Sequence, residues 1–190
     1  MTIQGTFTKT RKRGTRGLTL LELVCSITVL ALGISSLARV TVGLQRAGSV
    51  SRETELATQA ARAMLERIQA ESFAHAFRSF NGTGADDPGG VDTAPGASFA
   101  VAGLRAQPAD ADGLPGEILF PSPLGQPGVL DETVNDPRLC MPQDLDGNGT
   151  VDSNNHATDY ELLPVLVRVR WQSQDGSSGA VELKTILANY

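Results

Sequence analysis

A single carboxylate at the edge of an otherwise uncharged stretch constrains this chain more than any other feature. Residues 23–38 carry no charged side chain, and Glu22 stands directly before them. The leader ahead of it holds Lys9, Arg11, Lys12, Arg13 and Arg16 and no acidic residue. Residues 18–38 number 21. At about 1.5 Å of rise per residue they suffice to span a hydrocarbon core of roughly 30 Å. A carboxylate inside that layer costs roughly 2.5–3.5 kcal/mol on insertion scales. Such a group normally has a partner, and the segment offers none. The sequence therefore predicts one membrane-crossing helix. The positive-inside rule keeps the basic leader cytoplasmic and sends the rest of the chain outward.

Three simpler readings of this region compete. A cleaved secretory signal also has a basic start and an apolar core, and Ser36-Leu37-Ala38 would pass as its cleavage site. That reading leaves a carboxylate inside the core. A lipoprotein signal would use Cys25, but Glu22-Leu23-Val24 lacks the small residues such a site needs. An ordinary anchor accounts for the length and the flanking charge, but not for Glu22 or for the glycine before Leu18.

The run Gly17-Leu18-Thr19-Leu20-Leu21-Glu22 after a short basic leader resembles the signal of type IV prepilins and type II secretion pseudopilins. The resemblance covers residues 13–44 best. It implies that prepilin peptidase cuts after Gly17 and that Leu18 becomes the methylated N-terminus. Phe is usual at that first position. Glu22 then falls fifth in the mature chain, where the family's glutamate neutralises the N-terminal amine of a neighbouring subunit. A buried charge whose partner only another subunit supplies acts as a selectivity device. The implied partners are prepilin peptidase, other pilin or pseudopilin subunits, the inner-membrane assembly platform and the membrane. The implied location is single-pass in the inner membrane with a periplasmic head, and then a filament or the cell surface.

Many major pilins carry proline where this chain has Arg39. Ala31-Leu32-Gly33, Thr58-Gln59-Ala60-Ala61 and Met64-Leu65-Glu66-Arg67-Ile68 look like the V-type minor pilins of type IV pili. The I-type minor pseudopilins of type II secretion are similar here, and both families stay open.

Charge narrows the function classes. The leader takes five of the 16 basic residues and none of the 21 acidic ones, leaving 11 − 21 = −10 for the rest. So acidic a product is a poor nucleic-acid binder, which counts against a DNA-uptake pseudopilin. Cys25 lies in the apolar run and Cys140 in the polar part, so no intramolecular disulfide is expected. No Ser/His/Asp or Cys/His set, phosphate-binding glycine loop or zinc spacing is visible, and no enzyme is predicted.

Four stretches follow along the chain. Residues 1–17 form the leader, and 18–38 the membrane and assembly helix. Residues 39–73 extend it as an amphipathic helix, and 74–190 make a loop-rich head. Within 39–73, Leu56, Ala57, Ala60, Ala61, Met64, Leu65 and Ile68 recur at helical spacing. Nine of ten prolines lie from Pro88 to Pro142, where strand-like pieces at 98–104 and 117–120 interrupt loops, part of them expected to be mobile or an interaction surface. The tail alternates cleanly. Val165, Val167, Val169 and Trp171 face one way, with Leu166, Arg168 and Arg170 opposite, and the pattern resumes at Val181, Leu183, Thr185 and Leu187 after a turn. This is a β-hairpin with one apolar and one charged face. It is expected to pack on the Leu56–Ile68 stripe, with Glu182 beside Arg168 and Arg170. The fold class is α+β: a long N-terminal helix, membrane-spanning then amphipathic, on a small antiparallel sheet, as in a pilin-like fold.

One motif carries chemistry. Residues 144–152 place Asp144, Asp146, Asn148, Thr150 and Asp152 at alternate positions, with Gly149 sixth and Gly147 fourth. This is the spacing of an EF-hand-type calcium loop, in which Thr150 offers its carbonyl and Asp152 acts through water. The twelfth position holds Asn155 in place of the bidentate Glu, so Asp159 or Glu161 would complete the shell. The alternative is an Asp/Asn/Gly turn that binds nothing. His156 reads as a solvated loop residue, and His75 has no partner cluster.

Overall fold

The computed structural model describes residues 19–189, and the chain divides into two compact units, Met1–Arg46 and Ala47–Tyr190. The first helix, α1 (Leu20–Ala70), contributes to both. In the first unit its residues are exposed throughout, Leu30, Leu32 and Leu37 among them. It is long and apolar enough to cross a membrane, and it buries nothing in that window. Several of its hydroxyls are satisfied within the helix. Ser26 donates to the carbonyl of Glu22 at 2.7 Å, and Ser36 to that of Leu32 at 2.9 Å. A hydroxyl paired this way asks nothing of a surrounding lipid.

In the second unit the same helix has a tertiary partner. Ala57, Ala61 and Ile68 are fully buried, and Ala60, Met64 and Leu65 pack beside them. The small residues of this stripe share one core cluster with the inward side chains of the sheet. The helix stops at Ala70 instead of running on to 73. Ser72 is extended, and a second helix, α2 (Phe73–Phe80), begins at once. The break turns Phe77 and Phe80 into the core, where Phe77 meets Phe120 edge to face at 5.2 Å. Tyr160 donates its hydroxyl to the Phe73 carbonyl at 2.6 Å, which ties α2 to the start of the tail hairpin.

The sheet has four antiparallel strands in the order β1 (Ser98–Phe99), β2 (Gly116–Leu119), β3 (Leu162–Gln172) and β4 (Ser178–Ala188). The β3–β4 hairpin pairs Arg168 with Glu182 and Trp171 with Gly179, in the register the alternation predicts. Trp171 lies over Gly179, where any side chain would collide with the indole. Its ring nitrogen donates to Glu53 of α1 at 2.9 Å. Arg168 takes Glu117 of β2 as its nearer carboxylate, at 2.7 Å, with Glu182 at 3.9 Å.

Two differences from the sequence expectation share one cause. Leu166, placed on the charged face by alternation, is buried. The proline-rich middle, expected to be largely loop, supplies Leu130, Leu139, Met141 and Leu145 to the core. A short 3-10 turn (Pro137–Leu139) sits against β3, and Arg138 reaches Glu182 at 3.3 Å. The middle segment therefore covers part of the sheet's second face. Period-two alternation cannot foresee that cover, because the residues that make it have no period of their own.

Candidate metal centre

The cleavage and methylation positions, Gly17 and Leu18, lie outside the described residues. Glu22 lies in the first turn of α1, where its N–H is capped by the Thr19 hydroxyl at 3.3 Å. Among the described residues its carboxylate makes no ion pair and no hydrogen bond.

The acidic loop between the middle segment and β3 is built around Glu132, a residue the loop's own spacing gives no reason to single out. Glu132 is fully buried. One of its oxygens accepts from the backbone N–H of Leu145 at 2.6 Å and of Asp146 at 3.3 Å. The other accepts from Asp152 N–H at 2.9 Å. A buried carboxylate is tolerable when amide donors replace its water, and here three do. Leu145 plugs into the core, and its carbonyl accepts from Glu161 and Leu162 at 2.7 and 2.9 Å. The loop is thus held at its Leu145 end to the start of β3 and at its Asp152 end to Glu132.

Each expected ligand has a definite place. Asp144 turns both oxygens onto its own loop, accepting from Gly147 and Gly149 N–H at 2.7 Å each. Gly147 has φ +73°, and a Cβ there would come within 2.8 Å of the Glu161 carboxylate. A side chain at that position is therefore both strained and crowded. Asp146 accepts from Asn148 N–H at 3.1 Å and from its amide at 2.7 Å. Asn148 in turn accepts from Thr150 N–H at 2.8 Å. The oxygen of Asn155 instead points to Leu130 and Ala157, accepting from their N–H groups at 3.2 and 3.0 Å.

His156 corrects the sequence reading. It is not solvated: only 3 % of it is exposed. Its Nε2 lies 3.2 Å from Asp152 and 3.8 Å from Glu132, and its Nδ1 lies 3.5 Å from Asp146 and 3.4 Å from Asp159. The backbone N–H of His156 donates to the Leu130 carbonyl at 2.9 Å. A histidine four residues after the ninth loop position was visible in the sequence. Only the pairing of residues 130–132 with the loop buries it.

The electrostatics follow. Burial pulls the His156 pKa down, but the hydrogen bond to Asp152 and the charges of Glu132, Asp159 and Asp146 outweigh it, and the net direction is up. The Asp152 carboxyl is held below the usual range, first by the Asn154 N–H and then by His156. Burial opposes the same change at Asp146, where the Asn148 hydrogen bonds win. Three overlapping ligand sets result: Glu132 with Asp144 and Asp146, Glu132 with Asp152 and His156, and Asp146 with His156 and Asp159. In each set the candidate ligand atoms lie within 4.8 Å of one another. The arrangement can hold cations. It presents no activated nucleophile.

Comparison of the chain with family models, with curated proteins and with solved structures returns no match.

Proposed function

We propose that this chain is a minor pilin or pseudopilin, a structural subunit of a type IV filament assembled through its N-terminal helix. Prepilin peptidase would cut after Gly17, and Leu18 would be methylated. The observation that carries the reading is Glu22, whose carboxylate has no partner among the described residues, at the head of a helix whose apolar side chains are exposed up to Arg46. Both deficits are met at once if identical or related helices surround it, one of them offering an N-terminal amine. The head would be periplasmic, and its acidic loop would hold calcium through Asp144, Asp146, Asn148, the Thr150 carbonyl and Asp152.

N-terminal mass mapping of the cell-made protein tests the processing step. The expected chain starts at a methylated Leu18. A start at Arg39 would mean an ordinary secretory signal, and an uncut chain would leave an anchor. Glu22→Leu tests assembly: membrane insertion should be retained or improved, and incorporation into filaments lost. Normal incorporation of the processed variant would remove the charge-pairing argument.

A second reading, a membrane-anchored calcium-binding surface domain that never polymerises, draws on the same acidic loop and predicts that Glu22→Leu changes nothing. Adjacent reading frames would separate type II secretion from type IV pili.

A further inference from the structure

Beside the expected calcium loop lies a histidine whose chemistry calcium does not use. The Nε2 of His156 lies 3.2 Å from Asp152 Oδ1, and a ring that donates its proton there presents Nδ1 as an acceptor. The other nitrogen, Nδ1, then carries a lone pair. It is buried, makes no hydrogen bond, and faces the Oδ2 of Asp146 and the Oδ1 of Asp159 at 3.5 and 3.4 Å. Two carboxylate oxygens thus converge on Nδ1, that of Asp146 also accepting from the Asn148 amide at 2.7 Å, and either a proton on Nδ1 or a cation between the three atoms meets the arrangement.

We propose that Nδ1 of His156, Oδ2 of Asp146 and Oδ1 of Asp159 form a site for a borderline divalent cation of the zinc class, with Asp152 as the positioning residue that orients the imidazole. The proposal rests on the reading of this loop as a cation site and is independent of filament assembly. Spacing supports it. Ligands at about 2.0–2.2 Å from a tetrahedral zinc stand roughly 3.3–3.6 Å apart, which matches the two measured separations. Donor type supports it as well, since imidazole nitrogen suits zinc whereas calcium takes oxygen. The Asp152–His156 pair is the carboxylate–imidazole relay that commonly backs a metal-bound histidine. Asp159 is 58 % exposed, so the fourth position opens to solvent.

The local charge is strongly negative. Glu132, Asp146, Asp152 and Asp159 bring four carboxylates around one imidazole. Among the described residues, no Lys or Arg reaches any of them within ion-pair distance. A zinc ion would join residue 146, within the loop, to residue 159, just before β3. Its role would be to lock the loop's exit to the sheet.

The test uses the full chain in detergent, stripped with a chelator and titrated calorimetrically with zinc and, separately, with calcium. One zinc should bind per chain. His156→Ala should abolish zinc binding and retain that of calcium. Asp159→Asn, on an exposed side chain that leaves the fold alone, should weaken zinc at least tenfold. His75→Ala should change nothing. Cobalt in place of zinc should give the intense visible absorption of a tetrahedral site, absent from His156→Ala. Zinc binding unchanged in His156→Ala or Asp159→Asn overturns the proposal. So does no zinc binding with both ring nitrogens of His156 protonated at pH 7 by nitrogen NMR, because a proton then fills the gap. Calcium binding without zinc overturns this site alone, whereas neither metal binding removes the cation reading of the loop as well.

Discussion

The two units treat one helix in opposite ways. Up to Arg46, α1 exposes Leu, Val and Ile on every side, and only its length and lack of charge define it. Beyond that point its buried positions are mostly alanine, and Ala57 and Ala61 lose all exposure against other elements of the head. The first pattern suits a solvent that is itself apolar, where a helix needs no partner to hide its side chains. The second suits water, where apolar groups must find one another. Side-chain size along a helix thus distinguishes a surface meant for lipid or like helices from one meant for a sheet.

The sharpest way to break this comparison is to truncate one large side chain in each unit. Phe77→Ala should destabilise the head by about 3–5 kcal/mol, because it leaves a cavity against Phe120 and Tyr160. Leu30→Ala should leave the head's melting transition in place. A shift of similar size from both would mean that the first unit contributes to the fold of the second.

A second test asks what holds the acidic loop. Glu132→Ala orphans the N–H groups of Leu145, Asp146 and Asp152, and should cost roughly 3 kcal/mol in urea unfolding. An effect below about 1 kcal/mol would mean that water replaces the carboxylate and that the loop is not clamped.

Calcium should act on the head alone. At a hundredfold excess over its dissociation constant it should stabilise by about 2.7 kcal/mol, with magnesium doing less. Asp144→Ala should remove the shift in thermal melts. Equal melting temperatures with calcium and with chelator, without calorimetric heat at millimolar calcium, would reduce the motif to a turn.

The smallest effect concerns the cover over the sheet. The Arg138 guanidinium donates to Asp136 at 2.7 Å and holds its carboxyl below the ordinary aspartate range. A carboxylate lowered on folding stabilises above its unfolded pKa, about 3.9, and that contribution fades as pH falls through the folded value. Arg138 is 45 % exposed, so the contribution should be only a few tenths of a kcal/mol. Melts of Asp136→Asn should fall below the parent at pH 7 and converge with it at about pH 2.

How much was legible in advance varies with the range of the interaction. The long apolar helix, the stripe from Ala57 to Ile68 and the β3–β4 register all follow from local periodicity, and each appears. The acidic loop was visible too, since alternate oxygen donors around glycines are a local pattern. The break at Ser72, the burial of Leu166 and the core residues of the proline-rich middle were not. They depend on which segments meet, and nothing periodic announces that.

The sequence by itself determined that one end of the chain suits a membrane, that the other builds a helix and an antiparallel hairpin, and that residues 144–152 carry oxygen-bearing side chains at alternate positions. Charge, hydropathy and spacing act over a few residues, so they can be read without a fold. Only the tertiary structure decided that Glu132 is the anchor of the loop and that His156 lies buried among carboxylates. Those two facts arise where residues 130–132 close onto residues 143–156. That closure joins positions far apart in the chain, and the free energy that selects it lies in buried hydrogen bonds that no local pattern encodes.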